Sequence, residues 1–306
     1  AAVPSSPTRL PMSEVDDLVP DVGTLATALD AVDYLADPGL ATALFLAVRL
    51  PQPLLLEGEP GVGKTEAAKA LAAVLATPLL RLQCYEGIDA AEALYEWNYP
   101  RQLLAIRLAE AAGTPIVEDD LFGPDHLIAR PLLQAIEHPG PRPVVLLIDE
   151  VDRADDEFEA FLLELLAEGA VTIPELGTRR AIHPPVVVLT SNRTRDLGDA
   201  LKRRCLYHWI DAPSVDQVAR IVRRRVPEAA TTIAEQVAAA TARLRTLDLQ
   251  KPPGVAESID WASALALLGV TGLDAGLVDA SLAAVLKYRE DHAVARQRGL
   301  AWVAEG

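Results

Sequence analysis

Eight consecutive residues, Gly58-Glu59-Pro60-Gly61-Val62-Gly63-Lys64-Thr65, match G-x-x-x-x-G-K-[ST] at every fixed position. Glycines at this spacing let a loop curl until successive backbone N–H groups face one phosphate, at the positive end of the next helix. Lys64 adds a point charge for the β- and γ-phosphates, and the Thr65 hydroxyl is a ligand for Mg²⁺. Asp149-Glu150 forms a second constellation at the end of an apolar run. Asp149 can hold the water shell of Mg²⁺, and Glu150 can polarise an attacking water. The doublet points to hydrolysis of ATP rather than nucleotide holding alone. Asn192 ends another apolar run, where an amide can orient the lytic water or touch the γ-phosphate; it equally suits a plain strand-to-helix turn. Arg203 and Arg204 follow eleven and twelve residues later. A guanidinium there can stabilise charge on a transferred phosphoryl group, although the pair alone reads as a solvated basic face.

The elements that must position these groups are legible as alternating patterns. Leu54–Leu56, Val144–Ile148 and Val186–Leu189 are continuous apolar runs, each followed by polar residues. Unbroken apolar character marks strands covered on both faces, as in parallel sheets. Leu79–Leu82 and Leu206–Ile210 are fainter strands. A helix is expected over Lys64–Leu75. Another is expected over 156–168, with Asp156 and Glu159 as a capping box and Gly169 as its stop. The expected fold class is α/β: a three-layer domain on a parallel sheet over 21–212, then a small all-helical domain over 213–306 opening on the Ser214/Gln217 capping box. Residues 171–183 read as a β-hairpin with Leu176-Gly177 in the turn, and 86–130 as a long acidic insertion carrying Tyr95, Trp97 and Tyr99. Residues 1–20 are expected to be a flexible arm, with Met12, the sole methionine, as a possible native start.

Composition narrows the function. Of 306 residues, 28 are Lys or Arg and 44 are Asp or Glu, a net charge of −16, which speaks against binding nucleic acid through bulk charge. The run Arg223-Arg224-Arg225 fits a helix C-terminus, where the helix dipole favours cations. Cys84 and Cys205 are too few for a disulfide framework and read as small buried residues. His126, His138, His183, His208 and His292 show no metal-ligand spacing. Glu118-Asp119-Asp120 and Asp155-Asp156-Glu157 read as a solvated loop and a helix start. No run is long and apolar enough for a membrane span, no secretory signal opens the chain, and a cytoplasmic location is expected.

In its order of motifs the chain resembles the AAA+ ATPases, through the Gly58–Thr65 loop, Leu147-Ile148-Asp149-Glu150, a sensor-like Asn192, and Ala200-Leu201-Lys202-Arg203-Arg204 before a last strand and helical lid. Within that superfamily it is similar to the MoxR branch, closest to the group associated with maturation of molybdenum carbon monoxide dehydrogenase. The residues behind this are LLLEGEPGVGKTE, RLQCYEG, IDEVDRAD, LLELLAEGAVTIPELG and ALKRRCLYHWID. The resemblance, over roughly residues 40–300, implies a P-loop NTPase domain of AAA+ type and a homo-oligomeric ring, usually a hexamer. ATP would bind between neighbours, with Arg204, or alternatively Arg203, as a trans-acting finger. A client protein and a companion with a von Willebrand factor A domain are also implied. Such ATPases often carry a sensor arginine at the start of a lid helix; Gly254–Trp261 has none, and Lys251 is the nearest cation. Two rival readings are a nucleic-acid-directed AAA+ motor and a nucleotide-gated scaffold with little turnover.

Overall fold

The computed structural model describes residues 13–50 and 52–305. Nine strands occur among them: β1 (Leu54–Gly58), β2 (Leu79–Gln83), β3 (Tyr95–Trp97), β4 (Leu127–Ala129), β5 (Val145–Asp149), β6 (Ala170–Ile173), β7 (Gly177–Arg180), β8 (Val186–Ser191) and β9 (Leu206–Ile210). Five of them form one sheet in the order β2-β5-β8-β1-β9. Every residue of β1, β5 and β8 is buried, because these central strands are covered on both faces. The flanking β2 and β9 expose part of their length, which is why their sequence signal is fainter.

The ladders are parallel, and their register aligns the strand ends. Glu57 pairs with Ser191, Ile148 with Leu189, and Gln83 with Asp149. The carboxyl ends of four strands therefore form one row. Contacts divide the chain into two compact units. One contains Pro38–Glu57, Ala67–His208 and the described residues up to Ala28; the other contains Leu29–Asp37, Gly58–Glu66 and the residues from Trp209 onward.

In the first unit, Leu55, Leu82, Leu146, Ile148, Phe158, Leu162 and Leu189 share a core. The 86–130 insertion carries the antiparallel pair β3–β4 and a helix over Tyr99–Ala112. Trp97 is buried edge-on against Tyr95 and Phe122, whereas Tyr99 is exposed. Ala170–Arg180 forms the β6–β7 hairpin, with Ile173 opposite Gly177. Of the expected flexible arm, residues 1–12, Met12 included, lie outside the described residues. Ser13–Leu18 is instead helical, because Val15 and, four residues on, Val19 bury on one side.

A second correction concerns the helix Asp156–Glu168. Its cap is Asp155, whose carboxylate accepts from Phe158 N at 2.8 Å. Glu159 does not reach back to cap the helix; it is buried, paired with Arg195, and accepts from Gly198 N at 2.9 Å.

The second unit packs helices Val215–Arg225, Thr231–Leu244, Val255–Leu267, Ala275–Val285, Arg289–Arg298 and Leu300–Ala304 around Trp261, which is fully buried and donates to Ser281 Oγ at 2.8 Å. The Ser214/Gln217 capping box forms as expected. Arg223, Arg224 and Arg225 each face an acid, namely Glu235, Asp30 and Glu66. No helix among the described residues is long and apolar enough to cross a membrane.

Asp155→Ala is expected to cost about 1 kcal/mol of stability and Asp156→Ala a few tenths at most. Chemical denaturation of the two variants checks which acid caps the helix.

Candidate functional site

The loop Gly58–Thr65 leaves β1 and turns into the helix Lys64–Val74. A Cβ on Gly58 would lie 2.5 Å from the Ile210 carbonyl oxygen, so no side chain fits there. Gly63 has φ +100°, a conformation that costs any L-residue a steric penalty. The curl buries the Lys64 ammonium, which donates to the Gly58 and Glu59 carbonyls at 2.8 Å each. A cation stored in this way is preorganised for an anion. The Tyr34 hydroxyl donates to Gly63 O at 3.4 Å, and burial pushes its pKa up, keeping the phenol protonated.

Helical segments of the same unit close on this loop. Val255 N donates to Gly61 O at 3.3 Å, and a Cβ on Gly254 would stand 3.2 Å from Gly61 Cα and O. Arg245 donates to Glu59 Oε2 at 2.5 Å and to Pro253 O at 3.0 Å. The buried Asp291 carboxylate accepts from Gln250 N and Lys251 N, fixing the turn that carries Pro253 and Gly254. A recess lined by Gly61, Val62, Pro213, Val218, Thr241 and Arg245 lies behind the loop. Lys251, the cation the sequence offered for the lid, lies 3.7 Å from Glu257. Arg245, rather than Lys251, is the cation that meets the loop, and sequence reading missed it. At the end of a helix its type and position match any solvated C-terminal arginine.

The acidic residues are built by the strand ends of the first unit. Asp149 is buried; its Oδ1 accepts from Thr190 Oγ1 at 2.5 Å and its Oδ2 from Arg81 Nε at 2.9 Å. Glu150 turns the chain with φ +56° and ψ +50°, and its N–H donates to the same Thr190 hydroxyl at 2.9 Å. For a non-glycine residue this left-handed conformation costs roughly 1–2 kcal/mol, and such strain collects at functional sites. The turn brings the Glu150 carboxylate to 3.5 Å from Asn192 Nδ2.

Asp152, also buried, anchors the Asn192 loop by accepting from Asn192 N at 3.2 Å, Thr194 N at 2.8 Å and Thr194 Oγ1 at 2.7 Å. Buried Glu57 accepts from the Tyr207 hydroxyl at 3.0 Å and lies 3.8 Å from Arg193. Burial, reinforced by Asp149, Asp152 and Glu150, pushes the Cys84 thiol up to about 12, so it stays protonated. Arg203 is exposed, 4.0 Å from Asp199, and Arg204 donates to Leu163 O at 3.0 Å. Glu150 and Asn192 are thus brought together, while Arg203 and Arg204 sit on the separate helix Asp199–Arg204. Thr190, Asp152 and Glu57 were not read as site residues; the phrase Asp149-Glu150-Val151-Asp152 held the one available hint.

Asp149 in the first unit and Thr65 in the second each carry a hard oxygen donor of the kind Mg²⁺ takes. No cluster of three or more His, Cys, Asp or Glu that could hold a metal occurs among the described residues.

A profile of the AAA domain, dynein-related subfamily, matches residues 53–205. The ATP-dependent zinc metalloprotease FtsH of Acidimicrobium ferrooxidans is 31% identical over 90 residues, which span 28% of this chain and 13% of that protein. Among solved structures, the RuvB Holliday junction branch migration motor of Thermotoga maritima aligns with TM-score 0.46 and 16% identity, over 81% of this chain and 69% of that one. A point mutant of the same RuvB aligns with TM-score 0.45 and 15% identity, over 86% and 70%.

Thr190→Val keeps the shape but leaves Glu150 N–H and Asp149 Oδ1 each short of a partner. It is expected to cost about 1–3 kcal/mol in denaturation, with Thr190→Ser close to the parent.

Proposed function

The chain belongs to the AAA domain family, dynein-related subfamily, a family of ATPases, and from that premise we propose that it couples Mg²⁺-dependent ATP hydrolysis to remodelling of a partner protein. The observation that carries this reading is the Gly58–Thr65 curl around a buried, carbonyl-held Lys64. In this proposal the loop N–H groups and Lys64 grip the phosphates. Mg²⁺, held by Thr65 and Asp149, would neutralise charge on the phosphate oxygens.

Glu150 accepts a proton from the attacking water, and Asn192, whose amide faces that carboxylate, orients it. Thr190 and Asp152 act as positioning residues, since they hold the two turns from which Glu150 and Asn192 project. We assign the trans-acting guanidinium to Arg204, with Arg203 as the alternate. This role requires a homo-oligomeric ring, for which we propose six subunits.

The segments LLLEGEPGVGKTE, RLQCYEG, IDEVDRAD, LLELLAEGAVTIPELG and ALKRRCLYHWID support the MoxR type: a chaperone acting in the cytoplasm on a client protein, with a metalloenzyme awaiting its cofactor as the candidate client. A companion carrying a von Willebrand factor A domain fits the same reading. The acidic balance and the pairing of Arg223, Arg224 and Arg225 with acids speak against a nucleic-acid track.

Glu150→Gln is expected to bind ATP with near-parental affinity while turnover falls by about 10²–10⁴. Phosphate release at saturating ATP and Mg²⁺ measures it, and undiminished hydrolysis would refute the role. If the finger acts in trans, Lys64→Ala and Arg204→Ala are each inactive alone, and mixing the two restores part of the activity; failure of every mixture to recover any activity counts against the shared site.

A further inference from the structure

Asp149, the acid assigned to the metal, already has a cation beside it. The ladder pairs Arg81 with Leu147 and Gln83 with Asp149, which puts the Arg81 side chain on the same sheet face as Asp149. Its guanidinium meets Asp149 Oδ2 through Nε at 2.9 Å and Nη2 at 2.6 Å, and Gln83 Oε1 accepts from the same Nη2 at 2.5 Å. The Asp149 side chain is 4% exposed and that of Arg81 49%. One partner is locked in the fold; the other has solvent on its far side.

We propose that Arg81 is a built-in counter-ion that competes with the divalent metal for Asp149 and so sets the metal concentration at which the site loads. The inference rests on the assignment of Asp149 to Mg²⁺ under the proposed function. A buried carboxylate without a compensating charge is costly, so the metal-free chain needs a cation there, and Arg81 supplies it. A divalent ion drawing on the same carboxylate would face a guanidinium of like sign within a few ångströms, a repulsion little screened at a buried group. Arg81 can relieve it by swinging into solvent, because its stem is already half exposed. Gln83 opposes that movement by holding the guanidinium in place. Metal loading then includes the release of one internal ion pair. Arg81 is therefore a positioning residue that acts through Asp149, with no contact to substrate required.

Mn²⁺ titrations of the full chain with saturating ADP, followed by electron paramagnetic resonance, test this. Arg81→Gln should bind Mn²⁺ on the order of tenfold more tightly than the parent, while ADP affinity in EDTA stays unchanged. Arg81→Lys, which keeps the charge, should stay near the parent. Gln83→Met, which frees the guanidinium but retains it, should tighten Mn²⁺ by a smaller factor. In EDTA, Arg81→Gln should also melt below the parent and regain the difference when Mn²⁺ is added. Unchanged or weaker Mn²⁺ binding by both Arg81→Gln and Gln83→Met, with ADP still bound, overturns the proposal. A parent chain that takes up no ADP under either condition instead overturns the phosphate-loop reading, and this inference with it.

Discussion

Strands that end deep inside a covered parallel sheet leave polar groups where water does not reach, and each of those groups must find a partner. This constraint organises the first unit. Glu57, Asp149, Thr190 and Ser191 all end central strands and are all buried. Asp149 is answered by Thr190 and Arg81, and Glu57 by Tyr207 and Arg193. Hydrogen bonds of this kind hold the carboxylates in fixed directions, while the neighbouring buried Asp152 keeps one oxygen, Oδ1, without a hydrogen-bond partner. The strained backbone of Glu150 persists because the Thr190 hydroxyl holds its N–H.

The second unit meets a different demand. A curled glycine loop has little core of its own, so its shape must be imposed from outside. Gly61 is met by Gly254 and Val255 N, and Glu59 by Arg245. The helices that supply these contacts are fastened by Asp291 and by the Trp261–Ser281 pair. Contacts of this kind make the loop sensitive to the position of the segment 245–255.

Family membership and chemistry occupy different levels here. The domain profile covers residues 53–205, which include the phosphate loop, the acidic strand end and Asn192. It shows what kind of domain this is. The 86–130 insertion leaves Tyr99, Leu103, Leu104 and Leu108 exposed, apart from that chemistry.

What the sequence by itself determined was local. The phosphate-loop residues, the Asp149-Glu150 doublet, the three central strands, the Ser214/Gln217 cap and the helical run after residue 213 are written in short spacings. Continuous apolar runs and capping pairs act within a few residues. Only the tertiary structure decided the partners. Arg81 lies 68 residues from Asp149, Thr190 lies 41, and Arg245 is 186 residues from Glu59. Packing also moved a cap from Asp156 to Asp155, because Glu159 found a better partner in Arg195. An isolated arginine or threonine carries no mark of the carboxylate it will meet, since strand register and helix packing, not neighbouring residues, bring the two together.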